Sequence, residues 1–224
     1  MEAQDRDRTA RDGAGDVETT PVLEVFADIW CPFTHVGLRR VVTRRERGLI
    51  PDFLIEVKAW PLELVNGAPL DPETTAHHVR ELRAQVTPDL FRHFDPATFP
   101  ATTLPALALA HAAYAHDRRV GEEVSLGLRY VLFEQGLDIS RPEILEGLAR
   151  AWGVPVDGRI STQAVLDEWH EGIERGVKGS PHFFCRGTDA FCPSLDISSD
   201  GQGRLEIHPD LDALDNLLDH CFGS

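Results

Sequence analysis

The spacing of apolar positions along the chain changes period at a few defined places, and each change marks an element. Val22 to Asp28 (VLEVFAD) is a short β-branched and apolar run, which reads as a strand. It leads straight into WCPFTHVGLRRVVTRRERG, where Phe33, Val36, Leu38, Val41 and Val42 recur at helical spacing. Pro32 suits a first helical turn, where a missing N–H costs nothing, and Gly48 suits the stop behind an arginine-rich last turn. Phe53 to Trp60 (FLIEVKAW) alternates Phe53, Ile55, Val57 and Ala59 against Leu54, Glu56, Lys58 and Trp60, the two-residue period of a second strand. Strand, helix, strand predicts a parallel pair joined by a right-handed crossover.

After Pro61, the turn-rich LELVNGAPLDPETT interrupts this regularity. The pattern is then helical from about Asp71 to Asp157, through HHVRELRAQV, LPALALAHAAYAHD, GEEVSLGLRYVLFEQG and SRPEILEGLARAWG. Ser140 is placed to cap the last of these, with Glu143 three residues on completing a capping box. Ser161 to Arg175 is a further amphipathic helix ended by Gly176. VKGSPHFFCRG then supplies a short strand behind a Ser-Pro pair, with strand-like pieces at FCPSLDI and GRLEIH and a closing helix over Pro209 to Cys221.

Composition narrows the function classes. Hydrophobic residues make up 42% and charged residues 26% of the chain, an ordinary globular balance. Lys and Arg number 22 against 37 Asp and Glu, a net charge of -15, which repels a phosphate backbone or an anionic bilayer; nucleic acid and membrane are not expected partners. Residues 1–20 are charged and small, without the apolar core of a signal peptide, and read as a disordered tail. The longest apolar run, Leu104 to Ala115, is interrupted by His111 and falls short of the roughly 20 residues a membrane span needs. A soluble, cytoplasmic protein is expected. Four scattered cysteines, Cys31, Cys185, Cys192 and Cys221, are too few for a disulfide scaffold. His77, His78 and His93 share no ligand spacing with nearby acids, and no metal is predicted.

Two distant segments carry a family resemblance: Asp28-Ile29-Trp30-Cys31-Pro32-Phe33-Thr34-His35-Val36-Gly37 and Gly176-Val177-Lys178-Gly179-Ser180-Pro181-His182-Phe183-Phe184. Together they resemble the DsbA-like superfamily, particularly its FrnE-like branch and its relatives the kappa-class glutathione transferases and hydroxychromene carboxylate isomerases. The first segment is similar to that family's Cys-Pro-x-Cys helix start, the second to its Gly-Val-x-Gly-x-Pro loop with a cis proline. The resemblance spans roughly Val22 to Cys221 and implies an α/β, thioredoxin-like fold split by an inserted helical subdomain. Residues 21–70 and 161–224 would form the thioredoxin-like domain, and residues 71–160 the insertion. One departure matters for mechanism. Thr34 stands where dithiol members carry a second cysteine, so their Cys-x-x-Cys disulfide has no counterpart here.

The chemistry expected of these residues centres on Cys31. A cysteine at a helix mouth faces unsatisfied N–H groups and the positive end of the dipole, so a nucleophilic thiolate at neutral pH is expected. Thr34 would offer the sulfur a hydroxyl that cannot oxidise. By resemblance Pro181 is cis and faces the nucleophile, with the Ser180 backbone pairing to substrate. Trp30, Pro32 and Phe33 would flank the substrate, although core packing explains Trp30 and Phe33 equally well. Asp28 reads evenly as a buried acid beneath the site or as a cap of the following helix, and His35 as a solvent-facing histidine. Cys185 lies about 13 Å along a strand from Pro181, too far to resolve a mixed disulfide directly. Cys185 and Cys192 read as two packed thiols of a hairpin rather than a bridge, and Cys221 as packing on the last helix.

The functional expectation is a thiol-disulfide oxidoreductase using Cys31 alone through a mixed disulfide, on protein or small-molecule disulfides or thiols. No cofactor is held, and the resolving thiol would be glutathione or another low-molecular-weight thiol in solution. The resemblance also leaves open a glutathione-dependent transferase or isomerase, a redox-inactive binding module, and a homodimer.

Overall fold

The computed structural model describes residues 20–155, 160–200 and 204–223; the expected N-terminal tail lies outside them, apart from Thr20. Strand β1 (Val22–Ala27) leads into helix α1 (Pro32–Glu46) and then strand β2 (Leu54–Ala59), and the two strands pair parallel from Val22↔Leu54 to Ala27↔Ala59. Helices α2 (Leu62–Val65), α3 (Pro72–Gln85), α4 (Leu104–His116), α5 (Arg118–Gln135), α6 (Pro142–Ala151) and α7 (Thr162–Glu174) follow. The chain then returns through β3 (His182–Cys185) and β4 (Thr188–Phe191) to complete a four-stranded sheet in the order β2-β1-β3-β4. Both β1–β3 and β3–β4 are antiparallel.

The remaining strands, β5 (Leu195–Ser199) and β6 (Leu205–Pro209), form a separate antiparallel hairpin at the strand-like pieces FCPSLDI and GRLEIH. Cys192 turns the chain off β4 with φ +47 and Pro193 follows, so the strand pattern breaks there. Gln85 of α3 holds the hairpin: its side-chain oxygen accepts from the Ile207 amide at 2.9 Å, and its nitrogen donates to the Leu205 carbonyl at 3.0 Å. Helix α8 (Leu211–Phe222) closes the chain, capped by Asp210, whose carboxylate accepts from the Ala213 amide.

The helices between β2 and β3 solve a problem that β2 creates as an edge strand, whose outward N–H groups would otherwise be left unpaired. Ile55, Val57 and Ala59 point those amides the same way, two residues apart. Glu122 of α5 accepts from Ile55 at 2.8 Å, the Tyr114 hydroxyl of α4 from Val57 at 3.0 Å, and Glu168 of α7 from Ala59 at 2.7 Å. The Tyr114 hydroxyl also donates to the Ile55 carbonyl. Glu122 reaches back to Arg45 at the end of α1 as well.

Two apolar clusters result. One gathers Leu23, Val25, Leu38, Val41, Phe53 and Phe183 with α8 residues including Leu214 and Leu218. The other gathers Ile29, Trp30 and Val36 with Leu82, Leu107, Leu128 and Phe133 of the helices. Helix α1 contributes to both, Val36 to the second and Leu38 and Val41 to the first.

Two local expectations change. Helix α6 is capped by Arg141, not Ser140, because Pro142 at the first helical position holds the preceding residue extended. Ser140 instead donates its hydroxyl to Asp138 at 2.6 Å. Cys221 is not merely packing. It is joined to Cys185 as a disulfide, with Cα atoms 5.7 Å apart, so α8 is tied to β3, and Cys185 is not a packed thiol beside Cys192. Among the described residues no helix is long and apolar enough to cross a membrane.

Candidate active site

Cys31 is the N-cap of α1, with Pro32 taking the first helical position as expected. Its φ of -77 and ψ of 113 are extended, which turns the side chain across the helix mouth toward the loop entering β3. The Ser180–Pro181 peptide in that loop is cis. The Cys31 thiol donates to the Ser180 carbonyl at 3.2 Å.

Hydroxyls and amides knit this junction together. The Asp28 amide, at the end of β1, donates to Ser180 Oγ at 2.9 Å, and Ser180 Oγ is 2.8 Å from Thr34 Oγ1. Both hydroxyls also interact with the Cys31 sulfur, and each favours its anion. His182, just past the cis bond, accepts the Lys178 amide on Nδ1 at 3.1 Å and lies 2.8 Å from Asp189 through Nε2. Those two contacts fix the ring as the Nε2–H form and hold the loop.

The electrostatics differ from the helix-mouth expectation. Cys31 is only 4% exposed. Burial pushes its thiol above the ordinary value, against the Thr34 hydroxyl and amide and the Ser180 side chain, which pull it down, and the Asp28 charge adds to the rise. The desolvation of a sulfur anion outweighs these hydrogen bonds, which favours a thiol at rest over the expected thiolate. The sign is testable. Below a raised pKa the thiolate fraction grows with pH, so the alkylation rate of Cys31 should climb about tenfold per pH unit between roughly 6.5 and 8.5. Stopped-flow alkylation by iodoacetamide, read in a Cys192→Ser background, checks this; a rate flat across that range would reveal a preformed thiolate.

Asp28 is a buried acid and does not cap α1, whose N-cap is Cys31 with no side-chain cap. Its carboxylate accepts from the Ile29 and Leu62 amides, each at 2.6 Å, and so pins the entrance of α2 to the end of β1. It is also fully buried, which pushes its pKa up to about 6 despite those bonds, the Thr103 hydrogen bond and the nearby Arg129 charge. Arg129 sits beneath, completely buried, donating to the Asp28 carbonyl at 3.2 Å and to the Ser125 carbonyl and hydroxyl at 2.7 and 2.8 Å.

Trp30 is fully buried and stacks on Phe99 with ring centroids 5.7 Å apart. It belongs to the core and lines no substrate rim. Phe33 is half-buried and faces His78 at 5.4 Å. With Pro32, Ser180 and Cys31 it borders a cavity of about 370 Å³ walled by α2, the loop after it and the start of α3. His35 is buried, not solvent-facing: its Nε2 is 2.8 Å from Glu134, and its ring packs against Phe91 and Phe133. Position 35 lies on the side of α1 that α5 covers. Cys192 is a free, buried thiol whose amide donates to the Pro181 carbonyl at 2.9 Å. Burial and the Cys31 charge push it up to about 12.

A helix-capping cysteine opposite a cis proline, on a sheet that begins β-α-β and ends with an antiparallel return, defines a thioredoxin-like protein. Residues 22–207 match the family model of the DSBA-like thioredoxin domain, and the chain belongs to that family. No curated protein matches it in sequence. Among solved structures it is similar to a candidate protein disulfide isomerase from Nitrosomonas europaea (19% identity, TM-score 0.58, 90% of this chain and 97% of that one). It is similar too to the cytosolic disulfide reductase DsbM from Pseudomonas aeruginosa (15%, 0.55, 89% and 98%), also solved with GSH. A third is a 2-hydroxychromene-2-carboxylate isomerase (13%, 0.55, 76% and 88%). At these identities the likeness is one of fold.

Proposed function

We propose that the protein is a thiol-disulfide oxidoreductase that works through Cys31 alone. The observation that carries this reading is the Cys31 sulfur at the mouth of α1, 3.2 Å from the carbonyl that precedes cis-Pro181 and open to one cavity. Cys31 loses its proton to solvent, and the thiolate attacks one sulfur of a disulfide RS–SR′. An S–S bond forms to Cys31, the substrate S–S bond breaks, and R′S⁻ leaves and takes up a proton. A second thiolate, from glutathione or another low-molecular-weight thiol, then attacks the mixed disulfide at the R sulfur and returns Cys31 to thiolate.

Thr34 supports the first step and cannot itself supply the second. Its hydroxyl stabilises the sulfur anion and cannot become a disulfide partner. Cys185 is occupied by Cys221. Cys192, the other free thiol, is buried and held protonated by that burial, so in this reading the mixed disulfide waits for an outside thiol and should accumulate when none is supplied. The test is intact mass after exposure to excess oxidised glutathione or hydroxyethyl disulfide, with each cysteine replaced in turn. One adduct that vanishes only in the Cys31→Ser variant is the expected result; an adduct that survives that change would end the proposal.

A further inference from the structure

The cavity beside Cys31 is unusual in what its walls offer. Phe33, Leu62 and Leu70 make part of it apolar, and Asn66, Thr74 and His78 add neutral hydrogen-bonding groups. Its volume, about 370 Å³, lies in the range of small-molecule sites. Among the described residues no lysine or arginine lines it, and its one formal charge is the carboxylate of Asp71 at the rim.

That charge is fixed negative at neutral pH. Asp71 Oδ2 accepts both the amide and the hydroxyl of Thr74, at 2.8 and 2.7 Å, and those bonds hold the carboxyl below its usual range. Burial lowers the affinity of His78 for a proton, with His77 beside it acting the same way, so the imidazole is neutral in the same pH range. A disulfide that carries carboxylates would leave water for walls that give it no cation, and would meet Asp71 on the way in.

Resting on the oxidoreductase reading above, we propose that this cavity selects an uncharged low-molecular-weight disulfide, hydroxyl- or amide-bearing, over carboxylate-bearing ones such as oxidised glutathione. The neutral hydrogen-bonding groups would take the polar part of the molecule, and the apolar wall under Phe33 and Leu62 its thioether-like stem. Selection by charge would then act on the incoming disulfide and on the thiol that clears the mixed disulfide, since both occupy the same space.

The experiment uses the full chain near neutral pH with hydroxyethyl disulfide, oxidised glutathione and the dication cystamine as probes, each rate divided by the rate of that disulfide with a free small thiol. Hydroxyethyl disulfide should lead oxidised glutathione by about tenfold or more, with cystamine not behind glutathione. An Asn66→Arg variant, which sets a cation on the exposed rim, should raise the glutathione rate severalfold and lose that gain as salt screens the pair. Equal or faster turnover of oxidised glutathione by the native chain would overturn the selectivity, as would an Asn66→Arg variant that leaves the ratio unmoved. Failure to turn over any of the three would instead remove the oxidoreductase reading on which it rests.

Discussion

Replacing Cys31 with serine is expected to reduce disulfide turnover by about a thousandfold or more, roughly 4 kcal/mol of barrier at about 1.4 kcal/mol per decade. The reason lies in what the two side chains can become. A serine hydroxyl keeps the hydrogen bond to the Ser180 carbonyl, yet at neutral pH it supplies almost no oxyanion and cannot form a mixed disulfide. Because the contact that orients residue 31 survives, the folding free energy should move by less than about 1 kcal/mol. The loss of rate would then be chemical and not a by-product of unfolding. Turnover of hydroxyethyl disulfide, together with a urea melt of the same preparation, separates the two. A Cys31→Ser protein with appreciable residual turnover would relocate the nucleophile to Cys192, the other free thiol.

How far this site could be read from the chain depends on which residues act through local geometry. Cys31, Pro32, Thr34 and the Ser180–Pro181 pair are legible because a proline at the first helical position and a Ser-Pro ahead of a strand leave marks in the sequence. The strands and most helices are legible for a similar reason: β2 alternates cleanly, and α4 to α7 show helical spacing between turn residues. The thiolate expectation failed on a quantity that sequence does not carry. A helix dipole acts within one turn and can be inferred from position 31, whereas the burial that raises the thiol's pKa comes from elements far along the chain.

The polar residues missed have the same origin. His35 looked like a surface residue because its partner, Glu134, lies 99 positions away. Glu122, Ser125 and Arg129 fall on the same stripe of α5 as Val124, Leu128, Val131 and Leu132, all buried. A charged residue at helical spacing inside an apolar stripe was a signal available in LGLRYVLFEQG, and it points to a buried partner. What it could not show is that the partner is the carbonyl of Asp28. The Cys185–Cys221 link was equally hidden, since pairing a strand cysteine with one in the last helix needs the packing of α8 under the sheet.

Arg129 also makes the other large prediction. Its guanidinium is completely buried, and burial lowers its pKa to about 10, against the pull of Tyr114, Asp28 and Cys31. It remains protonated at neutral pH, so the interior holds a cation whose counter-charge is the Asp28 carboxylate above it. Arg129→Ala would remove the donors to the Ser125 and Asp28 carbonyls, leave a cavity, and strand Asp28 as an anion without its compensating charge. Such losses are typically about 3–5 kcal/mol, a large part of a domain stability of about 5–15 kcal/mol. Arg129→Met separates the terms, since it fills much of the volume and removes only the charge and the donors. The alanine variant should therefore melt about 10 °C or more below the native chain, and the methionine variant between the two. In both, Asp28 should hold its proton to a pH above 6, because an acid deprived of a neighbouring cation ionises later. Calorimetry gives the first result, and the carboxyl carbon shift of Asp28 followed against pH gives the second; a native-like melt for Arg129→Ala would mean that water replaces the guanidinium beneath the site.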